Sequence, residues 1–585
     1  MSRHPLFGAL ALLIALTVIM TWPQALHLGT QVPGHDDPLL SIWRLAWIAH
    51  ALPHDPRHLF DANIFYPHVR TLAYSDAMLF EGLLAAPFLW AGANPVLVYN
   101  LLFLAGIISS GAGMFVLVRY LTGNIDAALV SAAIFTLAPY RIEHVIHLEL
   151  QWTVWMPLTI WAVHRALDEG SRRFGALAGI FLWLQIISCV YYGAFLGVIV
   201  GALAVLLIMT QPRQAKRAIG PLCYGALLAA ALTLPYAMPY IANTQELGPR
   251  PAGEVADFSA AWGSYFSAPY QNWLWGWTAW QYGGNERHLF PGVAGVILAG
   301  LALAWRPRRM VWIYLVLALL AVELSLGLNG ALYGWLYNHL FAFRGFRAPA
   351  RFAILACCAM AVLAGFGFQY LQRLVSTRPA RALLLPAVLI AIGLESGSSP
   401  LVLAVQPTAV PPIYRFLQTA DRSVIIEFPV IDYNPAYMFW STYHWHPLVN
   451  GYSGYTPGDV VDTMMLMRTF PDDESVARLR DLDVRYILIH QALYKQGKYA
   501  DLMGLMARRP ELIPSGRFRD WIGGDTQIFE LRRAGGSTPH LGAQRGLRHV
   551  ARPGGAAKAA GLGDRDDILE LSQRNRQGRQ QVHRR

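Results

Sequence analysis

Long apolar runs broken by short polar segments dominate the chain. A run of about 18–22 apolar residues is long enough to cross a membrane as a helix. Eleven such spans fit, near residues 6–22, 96–119, 125–140, 152–167, 174–189, 191–210, 219–240, 290–305, 310–327, 352–371 and 382–402. Residues 77–93 are apolar too, but Glu81, Pro87 and their short length suit an interfacial or re-entrant helix. In residues 38–52, Leu39, Leu40, Trp43, Trp47 and Ala51 recur at helical spacing, with Arg44 and His50 left for water. That pattern predicts a helix lying flat on the membrane surface.

After Pro411-Pro412 the pattern changes. Residues 423–429, 484–490 and 527–531 read as buried strands, and 473–482 carry helical periodicity. From about Ala534 the chain is rich in Gly, Arg and Gln without apolar periodicity, which predicts disorder. The expected fold is a polytopic α-helical membrane protein with about eleven spans in residues 1–405, including an outer loop at 23–95. A small α/β domain at 406–533 and a disordered tail at 534–585 complete it.

Composition agrees. The chain is 55% hydrophobic and 14% charged, against about 25% charged in soluble proteins, and its mean hydropathy is +0.34. A net charge of +11 invites a nucleic-acid reading, but the basic residues fall in clusters between apolar runs. These are Arg165, Arg172 and Arg173; Arg213, Lys216 and Arg217; Arg306, Arg308 and Arg309; and Arg373, Arg378 and Arg381. If all four clusters face the cytoplasm, so does the N-terminus, while loops 23–95, 140–151, 241–289 and 328–351 and the C-terminal domain face outward. Residues 1–22 resemble a signal peptide, but Thr21-Trp22-Pro23 is a poor cleavage site, so the first span is expected to be retained. Cys189, Cys223, Cys357 and Cys358 lie in apolar runs and read as packing residues, not as a disulfide or zinc framework.

The candidate chemistry starts at Gly34-His35-Asp36-Asp37-Pro38, beyond the first span. Adjacent carboxylates beside a membrane segment are costly unless they pair, bind metal or work in a water-filled cavity. Asp37 before Pro38 also fits a helix N-cap, which would leave Asp36 as the acting group. In Arg141–Glu149, Glu143 and His147 are one helical turn apart. With Asp36, His147 and Glu149 make a donor set for a divalent metal (Mn²⁺, Mg²⁺ or Zn²⁺); the plainer reading is polar residues facing headgroups. Arg344, Arg347 and Arg351 lie on the outward side, against the charge rule. Arg347 and Arg351 would share a helix face if the next span begins early, and guanidinium groups match phosphate oxygens; headgroup anchoring is the alternative. Glu81 either lines an acceptor path or sits at the interface. Tyr191 and Tyr192 fit an aromatic belt, and His444, His446, Asn450 and Tyr452 fit a packed aromatic loop better than a site.

This order of parts resembles the GT-C class of membrane glycosyltransferases, which includes protein O-mannosyltransferases and aminoarabinose transferases. The likeness rests on the acidic pair, the surface helices after it, the acidic/His patch at 143–149, the Arg-rich stretch Gly345–Phe352 (GFRAPARF) and the C-terminal outer domain. Gly345–Phe352 and Asn450–Pro457 (NGYSGYTP) also look like stretches of uncharacterised bacterial members. The resemblance implies a bacterial inner-membrane enzyme that moves a sugar from a polyprenyl-phosphate donor to an extracytoplasmic glycan, lipid or protein acceptor. It further implies an inverting reaction with an Asp base. In that reading Glu81, Glu143, His147, Glu149, Arg347 and Arg351 contact substrate. A transporter or flippase of a lipid-linked intermediate is the competing reading; it calls for mid-span acids and matched broken helices, and Glu323 is the clear mid-span acid. A non-catalytic scaffold is the third.

Overall fold

The computed structural model describes residues 4–533, apart from 283, 285, 306–308, 408 and 496. The expected disordered tail, Arg306 and Arg308 lie outside the described residues. Residues Met1–Arg533 form one unit.

A helix lies on each of the eleven apolar runs. In chain order they begin with α1 (His4–Met20), followed by the loop helices α2 (Asp36–His54) and α3 (Leu79–Trp90). Next come α4 (Pro95–Thr122), α5 (Ile125–Thr136), the single turn α6 (Pro139–Glu143), α7 (Trp155–Glu169), α8 (Arg172–Ser188) and α9 (Val190–Thr210). The 36-residue α10 (Pro212–Leu247) leads to the short α11 (Ala252–Asp257) and α12 (Ala279–Tyr282). Then follow α13 (Val293–Ala304), α14 (Arg309–Ser325), the short α15 (Leu332–His339), α16 (Ala353–Leu374) and α17 (Arg378–Glu395). Among the described residues, Pro95–Thr122, Ile125–Glu143, Val190–Thr210, Pro212–Leu247 and Pro349–Leu374 are long and apolar enough to cross a membrane. Local chemistry sets several boundaries. Asn94 accepts from Val96 N–H at 2.8 Å with Pro95 opening α4, and Gly123 closes it at φ +66°.

The interhelical loops collect at two ends. At one end Asn124 donates to Gln372 (2.7 Å), Gln372 to Asp126 (2.7 Å) and Arg309 to the Thr210 carbonyl (3.4 Å), while Arg373 lies over Trp305. This end carries the described residues of the basic clusters. At the other end Leu401 N–H donates to the Trp22 carbonyl (2.8 Å), and strand β1 (Gln31–Pro33) pairs antiparallel with β2 (Leu403–Val405). Helix α10 is about 54 Å long at 1.5 Å per residue, well beyond a hydrocarbon core of about 30 Å. Its last turns therefore reach the loops of this second end, where Asn243 and Glu246 bond Arg70.

Residues 412–531 build a four-stranded sheet in the order β3-β4-β6-β5. β3 (Val424–Phe428) runs parallel to β4 (Val484–His490); β6 (Asp525–Leu531) is antiparallel to β4 and to β5 (Leu512–Arg519). The helices α18 (Pro412–Thr419), α19 (Asn434–Ser441), α20 (Gly458–Leu466), α21 (Asp473–Asp481) and α22 (Lys498–Met506) surround it. The first loop is stitched to this part. Phe65 and Tyr66 N–H groups donate to the carbonyls of Asn450 (3.0 Å) and Leu448 (2.8 Å), and Leu448 N–H donates to the Asn63 carbonyl (2.8 Å).

That contact corrects the expectation that Arg44 and His50 on α2 are left for water. The indole of Trp43 donates to Asn63 Oδ1 (3.1 Å), and Trp47 packs edge-on against Trp445. Arg44, expected in water, is buried and donates to Ser75 Oγ and to Met78 Sδ (3.4 Å). His50 stacks on Trp445 at 4.3 Å, and burial, then the charges of His54 and Arg422, lower its pKa to about 4.

Candidate active site

The acid pair sits where three loops meet. Gly34 turns the chain at φ +81°, and a Cβ there would lie 2.8 Å from the Ile146 side chain. The tight turn and the close approach both demand glycine. The loop before α2 therefore abuts the 143–149 patch. Helix α2 is capped by His35 without a side-chain hydrogen bond, and both acids fall in its first turn. Neither Asp36 nor Asp37 is the N-cap, so the division of one capping and one acting acid does not hold. Both lie at the positive end of the helix dipole. Asp36 is exposed; Asp37 is half-buried and accepts a hydrogen bond from Tyr452 Oη at 3.1 Å.

The 143–149 patch is rearranged from its expected form. The helix stops at Glu143, so Glu143 and His147 do not share a helix face. Glu143 meets His288 instead, Nδ1 to Oε2 2.7 Å. His144 is buried against Tyr140, and neither ring nitrogen has a hydrogen-bond partner among the described residues. Burial lowers its pKa to about 3, so the ring is neutral. Glu149 is buried with Oε2 likewise unpartnered. No group of three His, Cys, Asp or Glu among the described residues is arranged to hold a metal, so Asp36, His147 and Glu149 do not form the expected donor set.

Two further acids grip the break between α8 and α9. Asp76 is buried and accepts from Val190 N–H (2.5 Å) at the start of α9; Glu81 is buried and accepts from Ser188 Oγ at the end of α8. Glu81 is thus enclosed by protein and exposed at no surface. Burial, then the charge of Glu149, push Asp76 up to about 6, while Arg351 and Arg44 pull the other way. Asp76, Glu149, Arg44 and Arg351 therefore share one electrostatic neighbourhood.

The arginines differ in what they touch. Arg347 lies outside any helix or strand and Arg351 in the turn Pro349–Phe352, so they do not share a helix face. Arg351 is buried, and its guanidinium donates twice to Glu286, at 2.6 and 2.8 Å, beneath the ring of Tyr191. Burial opposes ionisation of Glu286, but Arg351 holds it well below the usual carboxylate range. Arg347 is half-exposed: its N–H donates to Tyr191 Oη (3.1 Å), and its guanidinium sits 3.7 Å from Glu254 and over Phe258. Arg344 is exposed on the carbonyls of Tyr337 and Asn338. Tyr191 thus belongs to this cluster, not to a belt, and buried Tyr192 donates to Tyr140 Oη (3.1 Å). The acids Glu286 and Asp76, with His288 and Tyr452, join the site although the sequence pattern did not mark them as its chemistry. An available signal was that Glu286-Arg287-His288 ends 28 residues without a charge.

The loop of His446 and Asn450 packs as expected. His446 is buried on the Leu417 carbonyl (2.9 Å) and the Ser423 backbone, and Asn450 brackets the Glu427 backbone at 2.7 and 2.9 Å. Glu323, expected at mid-span, lies instead in the last turn of α14 and accepts from the N–H groups of Ala331 and Leu332 (2.6 and 3.0 Å), so it serves the start of α15.

No known family profile matches the chain, and neither does any curated protein. Solved structures do match. The arabinofuranosyltransferase AftD from Mycobacteria overlaps with a TM-score of 0.60 at 14% identity, over 91% of this chain and 40% of that one. The chain has a GT-C fold. It spans less than half the length of AftD. Looser overlaps are found with the archaeal oligosaccharyltransferase AglB from Archaeoglobus fulgidus, at TM-score 0.49, 12% identity, 89% of this chain and 74% of that one. ArnT from Cupriavidus metallidurans, bound to undecaprenyl phosphate, overlaps at TM-score 0.47, 12% identity, 89% of this chain and 98% of that one.

Proposed function

We propose that this chain is an inverting membrane glycosyltransferase that moves a sugar from a polyprenyl-phosphate donor to an acceptor at the loop-rich end. The observation that carries the reading is the acid pair at the start of α2, set at the meeting of the first, 143–149 and C-terminal loops of a GT-C fold. AftD, with the same fold, is an arabinofuranosyltransferase.

The chemistry follows from the groups. The acceptor hydroxyl attacks the anomeric carbon as one carboxylate takes its proton. With the capping argument gone, Asp37 is the better base, because Tyr452 fixes its carboxylate. The lipid phosphate leaves as an anion and needs a cation, not an acid. Arg347 suits that role, because its guanidinium is half-exposed and only loosely paired. Arg351, already doubly bonded to Glu286, is a positioning residue. No step is assigned to a metal, whose expected ligands do not fit. Glu323, in the last turn of α14 and bonded to the backbone at the start of α15, gives the transporter reading no mid-membrane relay.

The test uses the full chain in nanodiscs with a polyprenyl-phosphate-linked arabinofuranose carrying a labelled sugar, following release of polyprenyl phosphate. Asp37→Asn should lose about a hundred- to ten-thousand-fold in rate with donor binding kept, and Asp36→Asn much less. The reverse order moves the base to Asp36; wild-type rates in both variants remove the pair from the mechanism.

A further inference from the structure

The sequence places residues 241–289 in a loop on the outward side. Its middle does not look like a water-facing loop. From Phe258 to Asn285 there is no charged residue and no histidine, and this 28-residue stretch holds five of the chain's 19 tryptophans. Trp262, Phe266, Tyr270, Trp273, Leu274, Trp277 and Trp280 are all between 54% and 71% exposed. Aromatic side chains bring roughly 150–250 Å² each. Six such rings and a leucine, more than half exposed, exceed the few hundred Å² that a soluble monomer leaves as one apolar patch.

The backbone beneath the patch is well bonded. Asn272 Nδ2 donates to the Glu395 carbonyl (2.8 Å), Trp273 N–H to the Gly397 carbonyl (2.8 Å) and Trp273 Nε1 to the Ser399 carbonyl (2.7 Å). Leu289 and Phe290 N–H groups donate to the carbonyls of Ser264 and Ser267, both at 3.0 Å, and Ala268 N–H donates to Thr278 Oγ1 (2.9 Å). Internal pairing of this kind is what irregular backbone needs on leaving water. The patch also continues an apolar surface. It is tied to the end of α17, which exposes Ile390 and Leu394, and to the start of α13, which exposes Val293, Val296 and Ile297. Tryptophan is the side chain enriched at membrane–water boundaries, where its ring is buried and its N–H stays wet.

We infer that residues 262–280 form an aromatic wedge seated in the lipid headgroup and acyl boundary of the leaflet on the Asp37 side. A glycan would be the other partner for exposed rings. It calls for free hydroxyl-binding side chains among them; the stretch carries no charged ones, and Asn272 and Thr278 are spent on backbone groups. The wedge runs directly into Glu286 and His288, which bond Arg351 and Glu143. Lipid contact therefore anchors the segment that completes the polar cluster. This inference does not depend on the glycosyltransferase reading.

The test is lipid quenching of a fluorophore. In a Cys223→Ser background, which removes the exposed thiol and leaves three buried ones, Trp277→Cys, Trp280→Cys and Tyr270→Cys are each labelled with a nitrobenzoxadiazole. Asp432→Cys, at an exposed position of the C-terminal part, is the control. The proteins are placed in nanodiscs containing phosphatidylcholine with a nitroxide near the top of the acyl chain. Quenching several-fold stronger at 270, 277 and 280 than at 432 is expected. Quenching no stronger than at 432, with iodide in water quenching all four alike, overturns the wedge. Should a labelled variant fail to fold, the unlabelled wild type is compared with Trp262→Phe in brominated lipid: loss of part of the lipid-quenchable tryptophan signal is expected, and an unchanged signal refutes the placement.

Discussion

His490 offers a prediction whose size can be worked from geometry. Its Nε2 lies 2.8 Å from Glu427 Oε2 and its Nδ1 2.8 Å from Asp520 Oδ2, and none of the His490 or Glu427 side chain is exposed. A neutral ring can donate from only one nitrogen, so two facing carboxylates favour the imidazolium. Burial pulls the pKa down, but the hydrogen bonds to Asp520 and Glu427 outweigh it and hold the group up to about 9, from 6.5. Burial also raises the Glu427 carboxyl; with ring protons directed at it and at Asp520, the ionised arrangement is the one the geometry favours. Because the folded pKa is the higher one, the stabilisation is fully present below pH 6.5 and disappears as pH rises through 9. The gap between the two pKa values is worth about 3 kcal/mol. The assay is thermal unfolding in nanodiscs between pH 7 and 10, followed by tryptophan fluorescence, since Trp521 packs 4.8 Å from the ring. Wild type should lose several degrees of melting temperature over that range. His490→Gln strands two buried acids and should cost roughly 3–5 kcal/mol at pH 7, with a flat profile above it. Parallel profiles for wild type and variant would refute the imidazolium.

Other expectations follow from the same structure. Glu286→Gln leaves Arg351 buried without a counter-charge and should destabilise by about 3–5 kcal/mol; adding Arg351→Gln should recover part of the loss, and additive melting-temperature changes would mean the two do not interact. Asp76 titrates near 6 when folded against 3.8 unfolded. Stability should therefore rise by up to about 3 kcal/mol as pH falls from 7 towards 4, a rise absent in Asp76→Asn; equal pH dependence in both would exclude it. A reporter fused after residue 533 should be active outside the cytoplasm, because the basic clusters gather at the opposite end from Asp37; activity confined to the cytoplasm would reverse the orientation.

Apolar length made the helices legible: each of the eleven runs carries one, and β3, β4 and β6 fall on their predicted stretches. What escaped was set by partners distant in sequence. The three residues of β1 become a strand because 403–405 lie alongside. β5 is exposed along most of its length and bulges between Pro514 and Gly516, which hides its alternation. Helix α2 carries a stripe pattern but is buried further round, because Trp445 and Asn63 cover it from the C-terminal side and the first loop. The acid pair could be found from its position beside a span. Asp76 and Glu286 could not be ranked that way, since their importance rests on the α8–α9 break and on Arg351.

The two arginines of the GFRAPARF stretch show how burial divides labour between like residues. A guanidinium taken out of water needs a matched anion, since its desolvation costs several kcal/mol. Arg351 is buried and has that anion in Glu286, whose two oxygens meet two of its nitrogens. A lipid phosphate could reach it only by displacing Glu286, which would then be an unpaired buried carboxylate. Arg347 carries no such penalty: it keeps contact with solvent, and at 3.7 Å Glu254 is an ion partner without a close hydrogen bond. An incoming phosphate can therefore replace a weak contact with a charge-assisted one, a gain of roughly 1.5–3 kcal/mol. Tyr191, which accepts from the Arg347 backbone N–H and lies against the Arg351 guanidinium, ties the chain of the partly exposed arginine to the buried one.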